Sequence, residues 1–421
     1  MTVQRGRRAA MALALLALGA LAGCGGGGAA SPSSTAHAVT IALNIPVTAD
    51  AYVAGAIQRG ADLAVKEANA KGVAIGGTKY TIVLKLYDDN NQPAASAQNV
   101  SSAVSDGAVA VIEDGLGAAT SAPRSAAAGI PEIVISNGNA SLLDPQSRPS
   151  VFRLGIANDA AATLLGNYIV QTSKKVAIIH DNSASGRDGA EQLTQALATA
   201  GGAVAGSVEL PASAAAFDAQ LQSVAASGAG ALAVWGGDLF VAKVVSSAHA
   251  AHLTLPIFTS PSGESTAVRA TAGNAATDGL RLVSSRLTSE ADPTSFGQFE
   301  SRIAAAEGGP TDAGFKDSEG REIRQPNDLD FFAYDTVNLV VAALEKQASA
   351  SPGQPLIAAV GSVSVKSANG DTRGFNPQNH EGVADDDMYI AVIHDMKFAP
   401  VQDEQLSKTL PAEDQVLSEF H

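Results

Sequence analysis

Few segments of this chain place reactive side chains at spacings that support catalysis. The glycine-rich stretch 115–120 follows an apolar segment and imitates a dinucleotide-binding turn, but it lacks the third glycine, and no acidic residue follows at the required distance. The sequence contains neither a Gly-x-Ser-x-Gly nucleophile turn nor a His-Glu-x-x-His zinc motif. The acidic run 385–387 could attract a cation or form a solvated turn. Because no group of residues supplies a base, a nucleophile and an orienting partner, we predict that the protein is not an enzyme and uses no metal or cofactor.

The only cysteine, Cys24, lies at the end of a predicted export signal. Three arginines in 5–8 precede the apolar residues 9–21, and small residues stand directly before the thiol. This order resembles a bacterial lipoprotein signal, so we predict a signal peptide over 1–23, lipidation of Cys24 and a flexible tether over 24–38. A membrane-spanning helix is the alternative, but the apolar stretch is shorter than the ~20 residues that cross hydrocarbon. A lone cysteine cannot form an internal disulfide.

The composition argues for an acidic, globular chain. The 421 residues include 27 basic and 42 acidic side chains, and removal of 1–23 takes away three arginines and no acids, which leaves a formal charge of about −18. Such a chain lacks the basic surface that nucleic acids require, so we predict no nucleic-acid partner. The length permits two domains, and no second apolar run could span a membrane. We therefore expect a monomer attached to the membrane only through its lipid.

The elements that must position any binding residues form two similar series. From residue 39 onwards, apolar segments of strand length alternate with amphipathic segments of helix length, the pattern of parallel β-α-β units. The first series predicts strands over 40–43, 82–87, 109–113 and 132–136, with helices over 53–70, 94–105 and 119–128. The second predicts strands over 176–180, 204–210, 232–235 and 257–259, with helices near 189–200, 216–227 and 240–251. Because ligands bind beyond the carboxyl ends of parallel strands, two such lobes would enclose one cleft.

The strict alternation ends after residue 279. We predict a strand over 280–284, helices over 293–305 and 331–346, and a closing hairpin formed by 389–394 and 397–401. The polar, glycine-containing stretch 308–327 reads as a surface insertion.

A series of short motifs gives the chain a family resemblance. Residues 41–52 are followed by Gly-Ala-Asp-Leu-Ala at 60–64, and a strand ending in Tyr-Asp-Asp at 87–89 precedes a helix that begins with Pro93. The apolar strand 109–112 and the turn 115–120 come next. Further matches are Val-Phe-Arg at 151–153 with Asp159, residues 176–181 with Gly186, and Phe-Ala-Tyr-Asp at 332–335. In this order the motifs resemble the leucine/isoleucine/valine-type solute-binding proteins of ABC transporters, over residues 39 to about 345.

The resemblance implies a fold and a function. The expected fold is α/β, with two Rossmann-like lobes joined by a three-segment hinge, as in type I periplasmic binding proteins. The lobes would comprise 39–155 plus 282–362 and 156–281 plus 363–421, with crossings near 152–159, 280–284 and 363–375. A protein of this kind binds a small solute without altering it and presents the solute to an ABC permease in the cytoplasmic membrane. Closure of a hinge captures the ligand.

The resemblance also assigns ligand contacts in the first lobe. Family members hold a ligand carboxylate with backbone amides and hydroxyls at 115–119 and 136–140, which points to Gly117, Ala118, Asn137 and Asn139 here. Exposed N–H groups at the start of a helix suit an anion. The chain departs from the family pattern because Gly117 replaces the usual serine and alanine replaces the usual threonine at 140. The alternative is that the glycine and the asparagines only shape turns.

The second lobe and the first loop supply the remaining candidates. Ser185 replaces an aromatic residue of the family, and either Asp238 or Glu264 would pair with a ligand ammonium, unless both are solvated loop carboxylates. Trp235 ends a strand, where it could line the cleft or pack in the core. Tyr52 corresponds to a position that covers the ligand in the family.

The predicted function is therefore extracytoplasmic capture of a small organic solute, such as an amino acid, an amide or a related compound. The protein would be anchored in the cell envelope by its lipid. The alternative is a lipoprotein that senses a ligand and signals to an envelope receptor or kinase, because either partner could detect the same closure. An envelope hydrolase ranks third.

Overall fold

A computed structural model describes residues 37–286, 293–305, 316–321 and 325–401 of the chain. The predicted signal peptide, Cys24 and most of the tether lie outside the described residues, as does most of the predicted insertion 308–327. Residues 37 and 38, at the end of the predicted tether, already belong to the first strand.

The first lobe is built on a six-stranded sheet. Its strands are β1 (His37–Ile45), β2 (Val73–Ile75), β3 (Thr78–Asp88), β4 (Ala110–Glu113), β5 (Glu132–Val134) and β6 (Val151–Arg153). Their order is β2-β3-β1-β4-β5-β6, and every neighbouring pair is parallel except β2 with β3. The connecting helices are α1 (Ala51–Lys71), α2 (Pro93–Ser105) and α3 (Ala118–Ala128). All four residues of β4 are buried, as expected for a strand covered by helices on both faces.

The second lobe repeats this arrangement. Its parallel strands are β7 (Lys175–Asp181), β8 (Ala203–Leu210), β9 (Ala231–Trp235), β10 (Ile257–Thr259) and β11 (Arg281–Ser284). The helices are α4 (Asn158–Thr172), α5 (Ala184–Thr199), α6 (Asp218–Ala226), α7 (Asp238–Ala250), α8 (Thr266–Ala272) and α9 (Asn274–Thr277). The order β8-β7-β9-β10-β11 matches β3-β1-β4-β5-β6 of the first sheet, so the two lobes share one strand order.

The chain then returns to the first lobe. The returning elements are α10 (Pro293–Ala304), α11 (Asp328–Glu345), α12 (Gln354–Val360) and a two-stranded ribbon of β12 (Ser364–Lys366) and β13 (Thr372–Gly374). Helix α11 packs along α1, and the ribbon packs on α11. Finally β14 (Tyr389–His394) and β15 (Lys397–Pro400) add two antiparallel strands to the second sheet, beside β11.

Three passages thus connect the two sheets. The first runs from β6 to α4, the second leaves β11, and the third lies between β13 and β14. The first and third run side by side, since Arg153 forms a parallel bridge with Glu381. The predicted boundary at 282 falls within β11, which lies in the second sheet. The predicted boundary at 363 falls just before the ribbon, which packs on the first lobe. The full division of the chain into lobes remains a prediction.

The structure confirms the predicted fold class and most predicted elements. The hairpin β14–β15 turns at Asp395 and Met396, which both have positive φ, as a two-residue hairpin turn requires. Sequence periodicity did not reveal β2, the ribbon, α8, α9 or α12. These elements have three to seven residues, too few for a periodic pattern to emerge.

Candidate ligand-binding cleft

The predicted ligand residues lie on segments that follow the carboxyl ends of parallel strands, apart from Trp235, which is itself the last residue of β9. In the first lobe these segments follow β1, β4 and β5, and in the second lobe they follow β7, β9 and β10. The two lobes meet at these segments, since α1 contacts α8 and the backbone N–H of Ala140 donates to Asp188 of α5 at 3.4 Å. The two sheets, which share one strand order, therefore face each other with the carboxyl ends of their parallel strands.

Gly117 and Ala118 lie at the start of α3, directly after β4. Gly117 is pressed against α2, because a Cβ at this position would lie 2.5 Å from the backbone nitrogen of Ala97. The serine that the family has at this position would therefore clash with α2. No side chain caps this end of α3. The backbone, rather than a hydroxyl, is what this turn offers to a ligand.

The asparagines of the neighbouring turn bond to the turn itself. Asn137 donates to the carbonyl of Gly115 at 3.1 Å and accepts from the N–H of Asn139, whose own side chain accepts from the N–H of Ser141. Arg153 donates to the carbonyls of both asparagines at 3.2 and 2.9 Å. These bonds match the turn-shaping role of asparagine. Ligand contact by Asn137 or Asn139 remains a prediction.

Acidic side chains also lie beside these turns, at the carboxyl ends of the first-lobe strands. Asp114 follows β4 and accepts from the backbone N–H of Leu116 at 2.9 Å. Burial and the neighbouring Asp89 raise the pKa of Asp114 to about 8. A buried carboxyl with this pKa stays largely protonated at neutral pH, so it adds little negative charge there.

In the second lobe, Ser185 of α5 contacts the end of the first passage between the lobes. Asn158, the first residue of α4, donates to the hydroxyl of Ser185 at 3.1 Å and to the carboxylate of Asp188 at 2.9 Å. Asp188 also accepts from Ala140 of the first lobe. Ser185 therefore lies where the first passage meets the edge of the cleft.

Trp235 packs in the core of the second lobe. Only 2% of its surface is exposed, and a Cβ on Gly189 of α5 would lie 1.9 Å from the indole nitrogen. The indole ring thus fills the space that the missing side chain of Gly189 leaves. Tyr52, in the first turn of α1, is half-buried.

The two candidate acids of the second lobe have different surroundings. Glu264 forms a buried ion pair with Arg286, with 2.8 Å between Oε1 and Nε. Arg286 also donates to the carbonyl of Pro326 at 2.7 Å and stacks over Phe398. Glu264 therefore has a cationic partner within the protein, at the second passage between the lobes.

Asp238 instead meets a second carboxyl group. It is the first residue of α7, is 7% exposed and accepts from the hydroxyl of Ser265 at 2.6 Å. Its carboxyl group is near enough to Asp50, which comes from the other lobe, to affect the pKa of Asp50. Asp50 caps α1 by accepting from the N–H of Val53 at 3.1 Å, and burial and Asp238 raise the pKa of Asp50 to about 8. Asp50 does not stand out in the sequence, because an aspartate before a helix indicates only a helix cap.

A second pair of neighbouring carboxyl groups lies on β4 and β5 of the first lobe. Glu113 ends β4 and accepts from Asn44 at 3.1 Å, while Glu132 of β5 accepts from Ser121. Burial and Glu132 raise the pKa of Glu113 well above its ordinary value. Among the described residues no donor reaches Oε1 of Glu113 or Oε2 of Glu132, as expected if the two groups share a proton.

Other site types find no support within the part of the chain that the structure describes. No three histidine, cysteine or acidic side chains are placed to hold a metal. Two surface cavities, of about 510 and 320 Å³, are lined by residues of the first lobe and its returning elements, and none of the predicted ligand residues lines them. None of the described helices combines the length and the apolar character that a membrane crossing needs.

Comparisons with known proteins agree with this architecture. The chain matches the family model for periplasmic binding proteins over residues 38–397. A type 1 periplasmic binding protein from Bordetella pertussis Tohama I has a similar structure, with a TM-score of 0.74 and 22% identity over 86% of this chain and 100% of that one.

Two further solved structures are similar, and both contain a ligand. The branched-chain amino acid binding protein LivJ of Streptococcus pneumoniae, in complex with isoleucine, has a TM-score of 0.71 and 20% identity over 86% of this chain and 97% of that one. A solute-binding protein from R. palustris, in complex with benzoate, has a TM-score of 0.72 and 20% identity over 86% and 95%. No curated protein matches the sequence. With two α/β lobes of one strand order and a family match over most of its length, the chain belongs to the periplasmic binding protein family.

Proposed function

We propose that this protein captures a small organic solute between its lobes and delivers it to an ABC permease. The observation that carries the proposal is the pairing of two lobes whose strand ends and helix starts face one cleft. Similar proteins are solved with isoleucine and with benzoate, which supports a solute of amino-acid or small-acid size. The chain itself performs no chemistry on the solute.

A thermal-shift screen tests the binding step. Purified protein is heated with amino acids, amides, polyols and aromatic acids, and a true solute at 100 times its Kd should add about 2.7 kcal/mol to the free energy of unfolding. Uptake of that solute should fall in cells that lack the protein and recover when it is restored. Binding without any change in uptake would favour a sensing role over transport.

We also propose that Cys24 carries the lipid that holds the protein at the membrane. A tethered receptor stays close to its permease, which raises the effective concentration of the pair. In cells that make Cys24→Ala, the protein should leave the membrane fraction or keep its signal peptide, whereas Ser34→Ala in the predicted tether should leave fractionation unchanged. Membrane retention of processed Cys24→Ala protein would contradict lipidation.

A further inference from the structure

One end of the first lobe carries positive charge in an otherwise acidic chain. The segments 71–79 and 345–366 together contain four lysines and a single acid, whereas the whole chain has a formal charge of −15. All four lysine side chains are exposed. We call this set the lysine face, and its members are Lys71, Lys79, Lys346 and Lys366.

Three of these lysines gather around the hairpin of β2 and β3. Lys71 ends α1 just before β2, and Lys79 lies opposite Ala74 in the antiparallel pair. Lys366, at the end of β12, lines the same cavity of about 320 Å³ as Lys71. Lysines from α1, β3 and β12 therefore come together at this end of the lobe.

The fourth lysine reaches the hairpin through the end of α11. Lys346 follows α11 directly, and the next residue, Gln347, accepts from the backbone N–H of Gly76 in the hairpin turn at 3.1 Å. A Cβ on Gly76 would lie 2.1 Å from the carbonyl oxygen of Ala348, so the turn and the chain after α11 are in close contact. The single acid of the two segments, Glu345, lines the same cavity.

The lysine face keeps its charge because no ion pair neutralises it. Elsewhere, Lys85 pairs with Asp106 at 2.7 Å and Lys397 pairs with an aspartate at 2.9 Å. Within the part of the chain that the structure describes, none of the four lysines has a carboxylate at ion-pair distance. The neighbouring Glu67 already pairs with Arg302 at 3.1 Å. Net positive charge therefore remains at this end.

The opposite end of the molecule has mixed charge. Because the two sheets face each other with the carboxyl ends of their strands, their amino ends point away from each other. At the amino end of the second sheet, Lys174 and Lys175 precede and begin β7. Two acids lie at this end as well, since Asp395 in the β14–β15 turn donates its backbone N–H to Asp278, just before β11, at 3.2 Å.

The predicted tether joins the body at the end that carries the lysine face. His37, the first residue of β1, is the ladder partner of Tyr80, and the two rings lie 5.6 Å apart. Tyr80 directly follows Lys79. Residues 25–36 separate Cys24 from β1, and a glycine- and serine-rich segment of that length has a root-mean-square span of about 20 Å. A lipid on Cys24 would therefore keep the lysine face close to the bilayer.

We propose that the lysine face docks on the headgroups of an anionic membrane. Each lysine held near such a surface strengthens binding about fivefold. A lipid and a basic patch together hold a protein more firmly than either alone. The lipid alone leaves the orientation of the body open, whereas the lysine face turns the first lobe towards the bilayer and the second lobe away from it. This inference goes beyond solute capture, and it rests on the proposed lipidation only in that Cys24 brings the body to the membrane.

Vesicle flotation tests the docking without the lipid. The chain from Gly25 onwards, which keeps every described residue, is mixed with vesicles of phosphatidylcholine alone or of phosphatidylcholine with phosphatidylglycerol. We expect binding only to the anionic vesicles. That binding should fall at least tenfold when the salt concentration rises from about 0.01 M to about 0.15 M, because the Debye length shrinks from about 30 Å to about 8 Å.

A pair of double variants locates the contact. Lys71→Gln combined with Lys79→Gln should weaken binding to anionic vesicles at least tenfold. The matched control combines Lys174→Gln with Lys175→Gln, which removes the same charge from exposed positions at the opposite end, and it should bind as the wild type does. Because all four side chains are exposed, both double variants should keep the wild-type Tm.

Three outcomes would overturn docking by the lysine face. Equal losses in the two double variants would mean that the net charge of the chain, rather than this face, decides the binding. Equal binding to neutral vesicles would indicate insertion of apolar groups. If the wild-type chain does not bind anionic vesicles at low salt, the docking is wrong, while fractionation of Cys24→Ala and the solute screen still decide the anchoring and the solute-binding function.

Discussion

Two glutamates of the first lobe, Glu113 and Glu132, lie buried next to each other and affect each other's protonation. Glu113, the last residue of β4, and Glu132, the first residue of the adjacent β5, are both fully buried, with Asn44 and Ser121 as donors. A raised pKa means that the folded chain holds a proton that the unfolded chain releases near pH 4.5. The stability that this proton supplies is complete below that pH and is lost as the pH rises.

The substitution Glu113→Gln should remove this loss. The amide of the new glutamine can donate to Glu132 at any pH, because its N–H does not titrate. The free energy of unfolding of the variant, measured relative to the wild type, should therefore be higher at pH 8 than at pH 5 by about 1 kcal/mol or more. Urea unfolding at the two pH values measures the difference. The control Glu191→Gln changes an exposed glutamate of α5 and should change the free energy of unfolding equally at both pH values. An equal effect of Glu113→Gln at both pH values would show that the pair is not proton-linked.

At the scale of elements, the contact between α1 and α11 holds the first lobe together. Gly60 lets the helices approach so closely that a Cβ would lie 2.1 Å from the carbonyl oxygen of Asp330. One residue earlier, Arg59 pairs with the carboxylate of Asp330 in a buried, two-pronged salt bridge at 3.0 to 3.1 Å. A side chain at position 60 would therefore separate both the backbones and the ion pair.

We expect Gly60→Ala to destabilise the protein by about 1–3 kcal/mol, because the added methyl group has no space. Thermal unfolding gives the difference. Gly297→Ala is the matched control, since this helical glycine of α10 has nothing within 4 Å of its Cβ position, and alanine there should stabilise by about 0.5–1 kcal/mol. A gain of stability in Gly60→Ala like that of Gly297→Ala would mean that helix propensity, not the close approach, decides the effect.

The long helices and strands can be predicted from the sequence because each carries its own pattern of apolar residues. The apolar run of β9 and the stripe of α11 are visible without any tertiary information. Positions in the cleft depend instead on contacts between distant segments. Glu264 and Asp238 look alike in the sequence, and only the fold gives Arg286 to one and Asp50 to the other. Likewise, the burial of Trp235 depends on a glycine 46 positions earlier.

The whole molecule should work by opening and closing. The contacts across the cleft include those of α1 with α8 and of Ala140 with Asp188. A solute that binds both lobes favours the closed form by its difference in affinity for the two forms. Small-angle scattering should show a smaller radius of gyration on addition of a solute that also raises Tm. A tightly bound solute that leaves the radius unchanged would contradict hinge capture.

The three passages have a consequence for biogenesis. Because Arg59 and Asp330 are 271 positions apart, the first lobe cannot complete its core until nearly the entire second lobe has been synthesised. A chain that emerges amino end first would expose the uncovered side of α1 throughout this interval. Export in an unfolded state and chaperone protection until the carboxyl-terminal helices arrive would suit such an interleaved architecture, and neither lobe should be obtainable as a simple truncation.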